Sequence, residues 1–589
     1  MRPARTLVAV LCFFFVAFPC QADDTTQGIQ LGSRRLTDYR GAEFSLDDLM
    51  KEKKGLVLAF VGTDCPLVKS YSPRLMALES RLSALGIGLV GIDSNIQDSL
   101  AEIAGYAKDF NISFPILKDA DHALADAVGA RRTPEVVLLD AQWSVRYMGR
   151  IDDQFGIGTR KPVPLREDLF LAAEELSLGK EISVAKTDSL GCLIGRSKRT
   201  PTEGAVTYYG DVATILQRRC AECHRAGEIG PMELTRYEDA SAWGETILEV
   251  VDQGRMPPWF ADPKIGKFMH DPQLSDDEKK KLRDWVVGGC AEGDPALASS
   301  MPKPNYVDGW QMGQVPDRVY YTDSKPYKIP AEGELDYVYY TIDSGFTEDT
   351  WITGAEARAG NRGVVHHILV FCNRPGKWYP AGLPGELISA YAPGMKPTVS
   401  ADESMALLIP KGSKIIMQIH YTPNGRPQED RSFFGLQLAK DPSKIKWEIK
   451  PGMAINVLFR IPAHADNYRV PGFFSFPEDA ILLGVNPHMH MRGKSFLYEA
   501  LYPDGRKETI MHCPKYDFNW QLGYQYEKPI RMPKGTKILC NAWYDNSENN
   551  PSNPNPNVAV GFGDQTWDEM MIGWFYYAVP NRAAIASAK

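Results

Sequence analysis

Long hydrophobic runs are nearly missing from this sequence, which limits how the chain can meet a membrane. The run near its start, residues 7–18, follows Arg2 and Arg5 and contains twelve apolar residues. A helix that spans a bilayer needs about 20, so residues 1–22 are predicted to be a cleaved export signal. Lipidation of Cys20 is the competing interpretation. No later segment predicts a transmembrane helix, and the mature chain is expected to be periplasmic or secreted.

An excess of positive charge is also missing. The chain has 66 Lys and Arg against 74 Asp and Glu, for a formal net charge of -8. Because binding to a phosphate backbone depends on basic residues, no nucleic-acid partner is expected. A length of 589 residues with 44% hydrophobic residues predicts a multidomain globular protein of about four domains.

Cysteine is sparse for an exported chain of this size. Ten cysteines occur, of which eight remain after removal of the predicted signal. This density excludes a disulfide-dense scaffold, and the spacing does not define the connectivity. Cys513 and Cys540 are the one predicted disulfide, because both lie in the same late β-rich region.

Residues 28–185 predict an α/β domain. Strand-like runs alternate with helical patterns, in the order strand 55–63, helix 72–85, strand 87–93, helix 99–110 and strand 136–140. This alternation predicts a mainly parallel sheet covered on both sides. Cys65 follows the first central strand, and Thr133-Pro134 is a natural site for a cis proline. These features resemble the thioredoxin-like superfamily, especially its redoxin and peroxiredoxin-like branch.

The redox motif of that superfamily is incomplete here. Val68 stands where a dithiol motif has its second cysteine, and Gly62 stands where peroxiredoxins have a threonine. The nearest remaining cysteine is Cys192, far downstream. A helix that begins after Cys65 would lower the pKa of its thiol, which makes Cys65 a candidate nucleophile. The alternative is a retained fold with an unreactive cysteine.

Residues 206–296 contain a haem attachment motif. Cys220 and Cys223 with His224 form C-x-x-C-H, in which two thioethers hold the porphyrin and the histidine becomes the proximal iron ligand. A helix is predicted at residues 275–287. The order of elements resembles class I-like cytochrome c domains, which are small and all-α, and implies a covalent haem c. A structural zinc site is the alternative, but the second ligand pair that it needs is missing.

The second axial ligand of the haem iron is predicted to be Met256. Met232, Met269 and His270 remain open as alternatives. A thioether opposite histidine raises the reduction potential relative to two histidines, which suits transfer of one electron at a time.

The remainder of the chain predicts a proline-rich linker at 297–330 and two all-β sandwiches at 331–458 and 459–589. Only ten histidines occur in the whole chain, and five of them fall in three short motifs of these sandwiches. They are His366 and His367, then His420, then His488 and His490. Residues i and i+2 of a strand share a face, as in the H-x-H motif, whereas adjacent residues do so only at a bulge or twist.

A methionine follows these histidines in Asp568-Glu569-Met570. Two imidazoles and a thioether favour copper, because sulfur stabilises Cu(I) while imidazole accepts either oxidation state. The order H-H, I-H-Y, H-x-H and D-E-M resembles the copper type II, ascorbate-dependent monooxygenases, the family of peptidylglycine hydroxylating monooxygenase and dopamine β-monooxygenase.

This resemblance covers residues 320–585 and implies two copper ions. His366, His367 and His420 would hold an electron-transfer copper. His488, His490 and Met570 would hold the copper where oxygen binds, with Met571 as the fallback ligand. The implied activity is hydroxylation of a C–H bond with O2, driven by an external reductant such as ascorbate. The fused haem c would offer a second source of electrons from a periplasmic donor.

The substrate is expected to be a small organic molecule. Peptide-amidating members of the family have an arginine and a tyrosine where this chain has Asn486 and Trp574, so the residues do not favour peptide amidation. Arg492 and Lys494 are near but do not match. Trp574 favours an apolar substrate, and His464 and His512 are expected to be ordinary surface residues. The alternative function is haem and copper electron transfer, or thiol redox chemistry, without hydroxylation.

Overall fold

The computed structural model describes residues 31–161, 163–196, 200, 202, 204–301, 304, 306, 309–379, 382–400 and 402–581. The predicted export signal at residues 1–22 lies outside these ranges. Among the helices that the structure describes, none has the length and apolar composition needed to cross a membrane.

The N-terminal region is a thioredoxin-like α/β domain. Its strands are β1 Arg35–Thr37, β2 Glu43–Ser45, β3 Gly55–Phe60, β4 Ile87–Asp93, β5 Ile116–Lys118, β6 Arg132–Thr133, β7 Glu135–Asp140, β8 Val145–Gly149, β9 Phe155–Gly156, β10 Thr159–Arg160 and β11 Cys192–Leu193. Its helices are α1 Leu46–Met50, α2 Pro66–Ala84, α3 Leu100–Asp109, α4 Ala123–Val128 and α5 Asp168–Ser177.

The central sheet of this domain has the order β5-β4-β3-β7-β8. Strands β3, β4 and β5 are parallel, whereas β7 and β8 run antiparallel to their neighbours. The prediction of a mainly parallel sheet is therefore wrong in its second half, because β7 and β8 are joined by a tight turn that only antiparallel strands can use. Alternate residues of β3 pack into two cores, with Val57 on one face and Leu58 on the other.

Helix α2 begins at Pro66, earlier than the predicted start at residue 72. Proline is favourable at the first helical position, because the N–H group that it lacks would have no acceptor within the helix. The early start makes Cys65 the residue that caps the helix. The peptide bond between Thr133 and Pro134 is cis, as predicted.

A helical region follows. It has a π-helical turn at Tyr208–Val212 and four helices, α6 Ala213–Arg219, α7 Tyr237–Ala242, α8 Gly244–Asp252 and α9 Asp276–Val287. Ser275 and Glu278 form a capping box that fixes the start of α9, and Trp285 is completely buried in the centre of this region. Arg132 of the redoxin domain binds both carboxylate oxygens of Glu249 on α8 at 3.1 and 2.8 Å.

The C-terminal region is rich in β-strands. They are β12 Arg318–Tyr321, β13 Tyr327–Ile329, β14 Val338–Asp343, β15 Thr350–Arg358, β16 Val365–Asn373, β17 Glu386–Tyr391, β18 Thr398–Val399, β19 Met405–Ile409, β20 Lys414–Tyr421, β21 Gln428–Asp430, β22 Phe433–Leu438, β23 Trp447–Asn456, β24 Arg460–Ile461, β25 Tyr468–Ser475, β26 Ala480–His488, β27 Gly493–Leu501, β28 Lys507–Cys513, β29 Tyr524–Met532, β30 Lys537–Tyr544, β31 Val560–Gly561 and β32 Met571–Pro580. Short 3-10 helices lie at Pro295–Ser300 and Pro442–Lys444.

One sheet joins the two halves of this region. A 13-stranded sheet extends from β12 to β28, and β23 connects its halves by pairing with β19, β25 and β32. A separate 4-stranded sheet has the order β14-β20-β16-β17. The predicted linker at 297–330 is too long, because β12 already pairs with β22 inside the first half.

The predicted disulfide between Cys513 and Cys540 is absent, since both thiols are free. Strands β28 and β30, which carry these cysteines, pair with opposite edges of β27. Two strand spacings separate their backbones by about 10 Å. A disulfide needs Cα atoms within about 7 Å.

Candidate functional site

Cys65 lies at the N-terminus of α2 and is 1% exposed. Its Sγ atom is 3.0 Å from the carbonyl oxygen of Thr133, directly before the cis proline. The backbone N–H of Val68, in the first turn of α2, interacts with the sulfur and favours its thiolate form. The fold therefore gives Cys65 the surroundings of a reactive cysteine.

Cys192 lies beside Cys65 although 127 positions separate them in the printed sequence. Strand β11 pairs with β6 so that Cys192 is opposite Thr133. The side chains of the two cysteines hydrogen-bond to each other. Sequence reasoning noted Cys192 as the nearest remaining cysteine, but it had no signal for this return of the chain.

The two thiols have different acidities. Burial raises the pKa of Cys65, but hydrogen bonds from the Cys192 thiol and the Val68 N–H lower it to about 6. The hydrogen bond to Cys65, together with burial, raises the pKa of Cys192 well above its usual range. At neutral pH Cys65 is therefore the thiolate and Cys192 the thiol that donates to it.

A cavity of about 770 Å³ lies between the redoxin, helical and β-rich regions. Cys65 and Cys192 line one part of it, and Cys220, Cys223 and His224 line another. Burial raises the pKa of Cys220 to about 12 and that of Cys223 to about 11, so both are protonated thiols. The volume falls within the range of pockets that hold cofactors.

His224 is oriented toward ligation by its own backbone surroundings. Its Nδ1 atom lies 3.2 Å from the carbonyl oxygen of Met232, which leaves Nε2 as the free nitrogen. Burial lowers the pKa of His224, so the ring is neutral. The four sequence candidates for the second axial position all line this cavity. They are Met256, Met232, Met269 and His270.

The first histidine set consists of His366, His367 and His420. One ring nitrogen from each residue lies within 4.8 Å of the others. A register shift between Val365 and His367 turns His366 toward the same site. Adjacent residues of a strand face the same side only at such a bulge, so the bulge explains why both histidines face inward.

Aromatic rings surround the first histidine set. Tyr337 meets His367 edge-on at 5.5 Å and His420 at 4.9 Å, and Phe518 stacks on His366 at 5.2 Å. Burial lowers the pKa of His366 to about 4. Burial and the neighbouring imidazoles lower the pKa of His367 and His420 well below their usual range. All three rings are therefore neutral at pH 7.

The second ligand set consists of His488, His490 and Met570. His488 Nδ1 lies 2.7 Å from Gln521 Oε1, and His490 Nδ1 lies 3.2 Å from the Asp568 carbonyl oxygen. Burial lowers the pKa of His488 to about 4 and that of His490 to about 3. The Nε2 atoms are thus left free for another partner on two neutral rings.

Glu569 fixes the backbone of the H-x-H segment. It is fully buried and accepts the backbone N–H of His490 at 2.9 Å and that of Arg492 at 2.6 Å. The guanidinium of Arg492 donates to Asn546 Oδ1 and to the Trp567 carbonyl oxygen, both at 2.9 Å. Sequence reasoning missed these structural roles, although Glu569 lies beside Met570 in the motif.

Met570 and Met571 point in different directions. Met570 lines a cavity of about 20 Å³ with His488 and His490. Met571 is fully buried in the core of the second half and lies near Gly472. Met571 is the first residue of β32 and Met570 directly precedes it. Successive side chains of an extended backbone point to opposite sides, which explains the difference.

The two sets face each other. His367 of the first set lines the same small cavity as His488, His490 and Met570. The ring of Phe518 contacts both His366 and, at 5.9 Å, His490. Lys494 lies away from this cavity, where it donates to the Asp466 carbonyl oxygen.

His464 and His512 belong to neither set. The exposed ring of His464 pairs with Glu548, and His512 lies 3.8 Å from Asp262. These positions match ordinary surface residues.

Comparisons with known proteins concern the redoxin region. Residues 30–148 match the AhpC/TSA family. Thiol-disulfide oxidoreductase ResA of Bacillus subtilis (strain 168) is 26% identical over 110 residues, which is 19% of this chain and 59% of the relative. ResA of Halalkalibacterium halodurans is 28% identical over 105 residues, which is 18% of this chain and 57% of the relative. The chain thus spans less than two thirds of these relatives.

Solved structures give similar matches. The hypothetical protein SMc02350 from Sinorhizobium meliloti 1021 is 29% identical with a TM-score of 0.26, and the match covers 29% of this chain and 96% of that one. A secreted Mycobacterium tuberculosis disulfide oxidoreductase homologous to DsbE is 22% identical with a TM-score of 0.17, and the match covers 19% and 80%. The predicted redoxin-like domain is confirmed by the family match.

Proposed function

We propose that this chain is an exported copper-dependent monooxygenase that hydroxylates a small organic molecule. The observation that carries the proposal is the closeness of two ligand sets. Three histidines cluster in the first set, and one of them, His367, lines the same cavity as His488, His490 and Met570 of the second. This composition suits copper, because imidazole accepts both oxidation states and a thioether favours Cu(I).

The ring nitrogens support metal binding independently of the motif. Within the described part of the chain, three buried ring nitrogens have no hydrogen-bond partner, namely His367 Nε2, His420 Nδ1 and His490 Nε2. Leaving a buried polar atom unpaired costs about 1–3 kcal/mol. A metal ion at the first set would satisfy the atoms of His367 and His420, and a second ion would satisfy that of His490. Neutral imidazole is the form that binds a metal ion.

The protein supplies orientation around the two metal positions. Copper held by both sets would supply O2 activation and the two electrons that C–H hydroxylation requires. Gln521 and the Asp568 carbonyl fix the tautomers of His488 and His490. Glu569 accepts the backbone N–H groups of His490 and Arg492 and so fixes the backbone that carries the His490 ring.

The large cavity supports electron supply through the chain itself. The C-x-x-C-H residues line one side of it, and His366 of the first histidine set lines another. A haem c attached to Cys220 and Cys223, with His224 as axial ligand, would supply one-electron transfer next to that set. Met256 remains the proposed second axial ligand.

The apolar side chains beside the second ligand set favour an apolar substrate. Leu369, Phe371, Ile572 and Trp574 line the small cavity there. At about 20 Å³ the cavity itself has room for about one water molecule, so the substrate would bind next to it. Arg492, the cation nearest to the family's carboxylate-binding position, is 1% exposed and is occupied by backbone and side-chain oxygens. A substrate with a free carboxylate therefore has no matching arginine at this point of the site.

Two adjacent methionines provide a matched test. Met570→Leu should remove the thioether of the second ligand set and abolish substrate-dependent O2 uptake. Met571→Leu should keep that thioether and the O2 uptake. Both variants should fold, because Leu and Met have similar volumes. Copper content, haem content and reductant-driven O2 uptake are measured on the same samples. Full turnover by Met570→Leu would contradict the proposal.

The thiol pair supports a second candidate function, thiol–disulfide exchange at Cys65. The AhpC/TSA match and the lowered pKa of Cys65 favour it. The alkylation rate of Cys65 should rise with pH through a midpoint near 6, because the thiolate is the nucleophile. A midpoint near 9, the ordinary cysteine value, would contradict this function. Cys65→Ser is the control that measures alkylation of the other cysteines.

A further inference from the structure

The segment that carries Cys192 is hydrogen-bonded to the redoxin domain on both sides of the cysteine. Ile194 N donates to the Arg131 carbonyl oxygen at 3.0 Å, and Gly195 N donates to Asn95 Oδ1 at 3.1 Å. Upstream, Arg132 Nη1 donates to the Gly191 carbonyl oxygen at 3.1 Å. These contacts hold Cys192 in one place relative to the thiol at the start of α2.

Gly191 makes this close approach sterically allowed. Its φ is +133°, and a Cβ atom at this position would lie 2.0 Å from the Thr133 carbonyl oxygen. Any larger residue would push β11 away from β6. The chain thus uses a glycine to bring Cys192 opposite Thr133, the residue whose carbonyl oxygen contacts the Cys65 sulfur.

We propose that Cys65 and Cys192 form a reversible disulfide, with Cys65 as nucleophile and Cys192 as resolving thiol, which exchanges with a disulfide substrate that enters the large cavity. A dithiol motif would have its second cysteine at the position of Val68. Cys192 takes the role of that cysteine, although it lies on β11, outside the alternating α/β pattern. This inference rests on the thiol function proposed for Cys65, and it adds the second residue and the class of substrate.

The exchange balances without another reactant. The Cys65 thiolate attacks one sulfur of the substrate disulfide, the substrate S–S bond breaks, and one substrate thiolate leaves. Cys192 then loses its proton to the departing thiolate and attacks the Cys65 sulfur, which breaks the mixed disulfide and releases the second substrate thiolate. The protein dithiol is oxidised by two electrons, and the substrate disulfide is reduced to one thiol and one thiolate, which exchanges protons with water.

The test uses full-length, haem-loaded protein and a chromogenic aromatic disulfide as the probe. Reduced wild-type protein should release two aromatic thiolates per reactive site and give a peptide in which Cys65 is linked to Cys192. Cys192→Ser should release one and retain the aromatic adduct on Cys65. Cys513→Ala serves as the matched cysteine control and should behave as wild type.

Gly191→Ala separates positioning from reactivity. It should leave the first release close to the wild-type rate and slow the second, because Cys65 is unchanged and β11 is displaced. A stable Cys65 adduct on wild-type protein, without the linked peptide, would overturn the pairing while the reactivity of Cys65 stands. Absence of any reaction at Cys65 would overturn both the pairing and the thiol function.

Discussion

The first histidine set and the second ligand set use different means to hold their rings. Tyr337 and Phe518 pack against the first set, where the adjacent histidines hydrogen-bond to each other at 3.1 Å through their Nδ1 atoms. The rings of the second set are tied to Gln521 and to the Asp568 carbonyl. In the first set the Nδ1 atom of His420 has no hydrogen-bond partner among the residues that the structure describes, whereas the Nδ1 atoms of both histidines in the second set have one. The second set is therefore the more rigid of the two.

This difference suits the two roles proposed for the sets. A copper that only passes electrons needs access to two oxidation states, whereas a copper at which oxygen reacts needs fixed ligands and a defined space. The buried carboxylate of Glu569 supports only the second set.

The largest effect is expected from removing that carboxylate. Glu569→Ala leaves Arg492 buried without its neighbouring charge, and two backbone N–H groups lose their acceptor. Leaving a buried hydrogen-bond donor without its acceptor costs about 1–3 kcal/mol. Urea unfolding of the metal-free protein should show this loss, whereas the exposed Glu429→Ala should change stability by less than about 0.5 kcal/mol. Equal stability of the two variants would remove the basis for the difference in rigidity.

A smaller effect is expected when only one ring loses its hydrogen-bond partner. Gln521→Leu removes the oxygen that fixes His488, and loss of such a partner typically lowers metal affinity by about 10–100-fold. Competition with a copper chelator should show weaker binding at the second set and unchanged binding at the first, which serves as the internal control. A parallel loss at both sets would mean that Gln521 acts on the whole fold.

Phe518 tests the contact between the two sets. Its ring touches His366 and His490, so Phe518→Leu should weaken copper binding at both. The loss should be larger at the first set, because His490 keeps its hydrogen bond to the Asp568 carbonyl. Copper titration followed by electron paramagnetic resonance distinguishes the two sites. A larger loss at the second set would reverse the proposed order of rigidity.

The smallest effect is expected from pH. The pKa of His366 and His488 is lowered to about 4, and that of His490 to about 3. A lowered pKa keeps a base neutral, so protons should not compete with copper at these rings between pH 7 and pH 5. Binding should weaken only as the pH falls toward 4. A decline that begins near pH 6.5 would indicate that the rings are solvated.

Much of the architecture could be predicted from local patterns. Strand β4 occupies residues 87–93 as predicted, and α9 at Asp276–Val287 matches the helix predicted at 275–287. The alternation of strands and helices predicted an α/β domain, because it reflects burial of both sheet faces. The antiparallel direction of β7 and β8 was not predicted, because hydrophobic periodicity does not depend on strand direction.

The candidate sites also differ in how far local sequence patterns predict them. The H-x-H spacing predicted His488 and His490 on one face of a strand. Strand β26 ends at His488, but the two rings still lie 5.2 Å apart, since His490 follows only two residues later. The pairing of Cys65 with Cys192 depends on the return of the chain at β11, and the support from Gln521 depends on a distant loop. Such contacts are set by tertiary packing, for which a single sequence carries no periodic signal.

The most direct measurement is copper content with X-ray absorption at the copper edge on the purified protein in the reduced state. We expect about two copper ions per chain, one set of nitrogen ligands without sulfur and one with a single thioether, with the sulfur contribution lost in Met570→Leu and kept in Met571→Leu. A chain that binds no copper, or whose copper shows no sulfur ligand that depends on Met570, would contradict the assignment of the two sets.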